Sequence, residues 1–76
     1  MVTAYVMVKA HTGDADRLRD EIEGIDGVTE AHIVAGDVDL IVKVSVDTPA
    51  AVKDAAATHV QDIEGVESTQ TYIAME

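Results

Sequence analysis

Gly36, Asp37 and Asp39 stand close together in mid-chain, and Thr69 and Thr71 alternate near its end. Glycine lets backbone approach a bound molecule closely. The two carboxylates can accept from an ammonium, and the two hydroxyls can donate to a carboxylate. Each group also has a purely structural use. Aspartate in a turn commonly bonds the turn's own amides, and threonines on a strand pair with their cross-strand neighbours. His11, His32 and His59 are spread over the chain without the short spacing of metal ligands, so no metal site is expected. No Ser/His/Asp order carries a nucleophile elbow, no Gly-rich phosphate loop is present, and no carboxylate pair is set for acid–base work. The residues point to binding rather than catalysis, and no cofactor is expected.

The elements that must position these groups follow from apolar periodicity. Val2, Ala4, Val6 and Val8 alternate with Thr3, Tyr5, Met7 and Lys9, which predicts a first strand. Thr12 and Asp14 are candidate caps for a helix carrying Ala15, Leu18, Ile22 and Ile25 on one stripe, ended by Gly24 and Gly27. A second strand over Val28–Ala35 would place Ala31, Ile33 and Ala35 on one face, and Gly36-Asp37 reads as a tight hairpin turn. Leu40, Val42, Val44 and Val46 alternate in the third strand. Thr48 caps a second helix with Pro49 at its first position and Val52, Ala56, Val60 and Ile63 as its stripe. Glu67–Met75 is the last strand. Ile25-Asp26-Gly27-Val28 recurs as Ile63-Glu64-Gly65-Val66, 38 residues on, which is half of the 76-residue chain.

Two βαβ halves with right-handed crossovers predict an α+β, ferredoxin-like βαββαβ fold. It has a four-stranded antiparallel sheet with both helices on one face, in one domain spanning 1–76. A chain this short buries only about 60% of its unfolded surface, so burial against another chain is expected. The uncovered sheet face would carry Tyr5, Met7, Val34, Ile41, Tyr72 and Ala74, an apolar set that predicts a homodimer made face to face.

Charge excludes several classes. Fifteen acidic and five basic residues give a net charge of −10. The scattered cations cannot make the cluster that nucleic acid requires, and an anionic membrane would repel the chain. No apolar run approaches the roughly 18 residues of a membrane span, and no basic leader precedes Val2, so a cytoplasmic protein is expected. Absence of cysteine removes disulfides and thiolate chemistry. The acid excess and the small Ala- and Val-rich core resemble proteins of halophiles, in which molar salt screens self-repulsion.

The run from Val28 through His32, Gly36, Asp37 and Asp39 to Val44 resembles the signature of the Lrp/AsnC ligand-binding domain, also called the RAM domain. The Gly36-x-x-Asp39 hairpin and the following apolar strand carry the likeness. Gly65-Val66 and Thr69-Gln70-Thr71-Tyr72-Ile73 match the family's closing Gly-Val corner and Thr-x-Thr strand. The resemblance covers essentially the whole chain. It implies regulation of transcription by dimers that pack through their sheets and assemble into higher rings. An amino-acid effector would bind where dimers meet, at Gly36, Asp37, Asp39, Thr69 and Thr71. Full-length relatives carry an N-terminal helix-turn-helix domain, whereas this sequence begins at the first strand. It is therefore similar to the stand-alone form of archaeal regulators, implying a haloarchaeal origin, action through partners such as full-length Lrp/AsnC regulators, and no direct contact with nucleic acid. An ACT-like regulatory or structural subunit of a metabolic enzyme shares the element order and is the alternative. Gly13 fits its first turn only loosely.

Overall fold

The computed structural model describes residues 1–75 except Thr12 and Asp14, and all of Ala57 but its side chain. The capping expectation for Thr12 and Asp14 lies outside the described residues. Along the chain run β1 (Val2–Ala10), α1 (Ala15–Glu23), β2 (Val28–Ile33), β3 (Leu40–Val46), α2 (Pro49–Lys53) and β4 (Val66–Ile73). α2 passes directly into a π-helical segment, Asp54–Val60. The strands form one antiparallel sheet in the order β2-β3-β1-β4, the expected ferredoxin-like arrangement.

Strand alternation decides the layers. Ala4, Val6 and Val8 of β1, Leu40, Val42 and Val44 of β3, and Ala31 of β2 are buried together with Leu18 and Ile22 of α1. Val52 of α2 and Ala55, Ala56 and Val60 of the π segment complete that core. The helices therefore cover one sheet face, as the two apolar stripes require. Asp16, Asp20, Glu21 and Glu23 of α1 are all exposed. Thr48 caps α2 through its hydroxyl, which accepts from the Ala51 amide at 3.1 Å, and Pro49 follows it.

The internal repeat is a structural one. Both corners turn on a glycine in the left-handed region, Gly27 at φ +95° and Gly65 at φ +104°. In each, the valine amide donates back to an isoleucine carbonyl, Val28 to Ile25 at 3.1 Å and Val66 to Ile63 at 3.2 Å. Each corner carbonyl then accepts from a central strand or its extension: Gly27 from the Ser45 amide at 2.8 Å, and Gly65 from the His11 amide at 2.9 Å. A Cβ on Gly27 would come within 2.7 Å of Val46 Cγ1, so steric room as well as φ demands glycine there. Arg17 of α1 ties the first half to the second corner by donating to the Glu64 carbonyl at 2.7 Å.

Three local expectations need correction. β2 ends at Ile33 instead of Ala35, and Ile33 is 42% exposed because it lies at the sheet's edge. The β2–β3 connection is wider than a tight Gly36-Asp37 turn. The Val34 amide donates to the Asp39 carbonyl at 3.0 Å, so Ala35, Gly36, Asp37 and Val38 form the tip. The second helix keeps its expected stripe but is α-helical only in its first part. At the opposite end of the sheet the Ala74 amide donates to the Thr3 carbonyl at 2.8 Å, bringing the two ends of the described chain together.

Candidate functional site

The hairpin tip presents Gly36 at φ +153°, a backbone conformation that L side chains rarely adopt, with open space where a Cβ would stand. Asp37 beside it is exposed, and no hydrogen bond or ion pair among the described residues engages its carboxylate. Asp39 is held differently. Its Oδ2 accepts from the Ala10 amide at 2.8 Å, and its own amide donates to the Val8 carbonyl at 2.9 Å. The carboxylate thereby satisfies a β1 donor beside the register shift between Lys9 and Ala10. Asp37 and Asp39, alike in sequence, differ in role: one is available and the other clamps the hairpin root.

Thr69 and Thr71 pair with Val8 and Val6, which puts them on the helix-facing side of β4. Thr69 Oγ1 accepts from Gln61 Nε2 at 2.7 Å. Thr71 faces a groove of about 250 Å³ between the second helix and β4. Gly36 and Asp37 join β2 to β3, whereas the threonines lie on the opposite edge strand. Three strand spacings, about 14 Å, separate these edges. One chain therefore does not bring the five residues together.

Sequence periodicity gave no warning of a second concavity. A cleft of about 410 Å³ opens between the Asp26-Gly27 corner, the end of β3 and the second helix, lined by Asp47, Asp54 and His59 among others. Its acidic side chains and His59 are exposed, and no group of three His, Cys, Asp or Glu among the described residues is placed to hold a metal ion. His11 is exposed, and His32 Nε2 lies 3.0 Å from Glu30 Oε1.

The uncovered sheet face has its own electrostatics. Register places Thr3, Tyr5, Met7 and Lys9 outward on β1, Ile41, Lys43 and Ser45 on β3, Glu30 and His32 on β2, and Ser68, Gln70 and Tyr72 on β4. Tyr5 is 37% and Tyr72 51% exposed, and the two are directly paired. Among the described residues, Glu30 is the one acidic residue at a paired outward position. The hydrogen bond from His32, and then the Lys43 ammonium 3.8 Å away, hold its carboxyl below the usual glutamate value. This face is neutral to basic on a strongly acidic chain. No helix among the described residues is long and apolar enough to cross a membrane.

A βαββαβ sandwich with helices on one sheet face and the other face open is a small α+β domain of the ferredoxin-like class. The chain belongs to the Lrp/AsnC ligand-binding domain family, whose model matches residues 3–76. The match falls on that resemblance and not on the ACT-like one. The regulatory protein AsnC of Haemophilus influenzae is 32% identical over 63 residues, covering 83% of this chain. The chain corresponds to 42% of that relative's length. The crystal structure of TTHA0845 from Thermus thermophilus superposes with a TM-score of 0.95 at 28% identity, covering 100% of this chain and 95% of that one. A Neisseria meningitidis transcriptional regulator, NMB0573, solved as a complex with L-Met, shares the fold at TM-score 0.85 and 14% identity, over 99% of this chain and 50% of that one.

Proposed function

We propose that this domain is a regulatory module of the Lrp/AsnC type that senses an amino acid and acts through assembly with protein partners, without catalysis and without direct contact to nucleic acid. Asp37 carries the reading. Its carboxylate is exposed and, among the described residues, unengaged, at a tip built on Gly36, and it offers the acceptor that an effector ammonium needs. Thr69 and Thr71 of a neighbouring copy would supply donors to the effector carboxylate, because the two sets lie on opposite edges of one sheet. Asp39 serves the site by fixing the hairpin root.

Homodimerisation uses the open sheet face. At −10 per chain, two copies repel each other least where the surface carries no net negative charge, and that is the face bearing Tyr5, Ile41 and Tyr72. Dimers then meet in a higher ring around the hairpins. Molar salt, which cuts the Debye length to about 3 Å, favours every such contact, in keeping with a haloarchaeal, cytoplasmic setting. Full-length Lrp/AsnC regulators are suited as partners through the same face.

Light scattering in high salt, with and without a panel of amino acids, tests the reading. One amino acid should raise the mass from dimer to ring, and Asp37→Ala should abolish that response. A mass indifferent to every amino acid would overturn the effector reading. Linkage requires the ligand that promotes assembly to bind the assembled form more tightly by the same factor.

A further inference from the structure

We propose that the Glu30–His32–Lys43 cluster makes the open sheet face a pH-gated surface, which closes on a second copy of this chain when His32 is neutral and releases it when His32 is protonated. The proposal rests on the face-to-face dimer above and adds what controls it.

β2 places Glu30 and His32 outward, two residues apart on one edge of the face. Glu30 lies opposite Lys43 of β3, and His32 lies opposite Ile41. The carboxylate is shared between two neighbours. Its Oε1 lies 3.0 Å from His32 Nε2, and its Oε2 lies 3.8 Å from the Lys43 ammonium. With the imidazole neutral, one carboxylate balances one ammonium and the cluster carries no charge. Register continues from Ile41 to Met7, and from Lys43 through Tyr5 to Tyr72, so the cluster borders the apolar part of the face.

Few other groups on this face can titrate. The remaining ionisable side chains at paired outward positions are Tyr5 and Lys9 on β1 and Tyr72 on β4. Tyrosine and lysine ordinarily titrate at about 10, far above the histidine range. α1 packs against β2 from the opposite side, over buried Ala31, and its charged residues belong to that layer. The bond from His32 and the Lys43 ammonium hold the Glu30 carboxyl below the usual glutamate value, so it stays ionised while histidine titrates. His32 is therefore the residue through which this face changes charge near neutrality.

Docking two sheets strips water from whatever charge the faces carry. A neutral His32 leaves a balanced pair to be covered. A protonated His32 leaves a surplus positive charge, to which Lys9 adds. The contact between His32 and Glu30 lies within one chain, so it is made in monomer and dimer alike. A two-fold dimer brings the same surplus from both copies, and the penalty counts twice. Protons then favour the separate chains: dimerisation is full above the histidine range and fades as pH falls through it. Molar salt screens exposed acids but reaches covered charge far less.

Sedimentation equilibrium of the native chain in high salt, without amino acid, tests this between about pH 7.5 and about pH 5.5. The dimer Kd should rise roughly tenfold or more on acidification. His32→Gln should keep the dimer and remove the dependence. His32→Lys, a fixed cation at the same exposed position, should weaken the dimer at every pH. His11→Gln and His59→Gln, at exposed positions off this face, should leave the native profile. A Kd constant across the range, or a His32→Gln profile like the native one, would overturn the switch and leave the dimer standing. A chain monomeric at every pH would overturn the face-to-face dimer itself.

Discussion

The two halves of the chain solve one problem with one corner and two different helices. Gly27 and Gly65 turn alike, close alike on Ile25 and Ile63, and dock their carbonyls alike. The helices before them diverge. α1 is regular and seals its half with Leu18 and Ile22. The second helix starts as α, widens to a π segment and presents Val52, Ala55, Ala56 and Val60. The strands diverge too. The first corner meets β3 at Ser45, whose equivalent in β1 is Met7, yet the second corner meets His11, four residues further on. β4 is thus displaced along β1, past the irregularity at Lys9 and Ala10. A repeated corner tolerates different packing on either side of it. One half has become a sealed scaffold, and the other keeps an open groove.

Core truncation should break that comparison most strongly. Leu18→Ala removes a fully buried side chain from the sealed half and should cost roughly 2–5 kcal/mol in urea unfolding at high salt. That is a large share of the stability of so small a domain. Val52→Ala beside the groove removes fewer carbons at a site that can relax, and should cost less, about 1–2 kcal/mol. Equal losses would show that the second half is as tightly packed as the first.

The corners sharpen the likeness. Gly27→Ala adds a Cβ 2.7 Å from Val46 Cγ1 to a strained φ and should destabilise by about 2–3 kcal/mol. Gly65→Ala places a side chain at a left-handed φ and should lose about 1–2 kcal/mol for that strain, measured in the same way. Within the hairpin, Asp39→Ala orphans the Ala10 amide and should cost about 1–2 kcal/mol. Asp37→Ala should stay within about 0.5 kcal/mol while removing the effector response.

Much of this was legible in the chain. Period-two alternation placed all four strands, and the recurring Ile-acid-Gly-Val corner located the halves and their joints. The conformation of the second helix was not legible, since apolar residues at Val52, Ala56 and Val60 suit α and π turns alike. The displacement of β4 depends on hydrogen bonds made by Lys9, Ala10 and His11, which lie beyond the apolar run. Gly36 and Asp37 were readable as a presented tip. The division of labour between Asp37 and Asp39 was not, because it turns on a long-range bond to Ala10.

The smallest effect distinguishes the sheet's two edges. The first half's edge carries the Glu30–His32–Lys43 cluster, whereas the paired outward positions Ser68, Gln70 and Tyr72 of β4 carry no carboxylate. Because the Glu30 carboxyl is lowered in the folded chain, its contribution is full above the ordinary glutamate value and fades as pH falls through the lowered one. Glu30→Gln should therefore slightly flatten the acid side of the stability–pH profile. An unchanged slope would show that the cluster contributes nothing at this exposed edge.

The bond from Ala74 to Thr3 makes the molecule a handle with one grip. Both ends of the described chain leave the sheet at the same pole, and the Gly36-Asp37 tip lies at the other, about 20 Å away along the strands. A fluorescent reporter, a surface tether or a second copy joined in tandem can therefore be attached at either end without crowding the hairpin. The same proximity makes the fold suited to circular permutation, with old ends joined by a short link and new ones cut elsewhere.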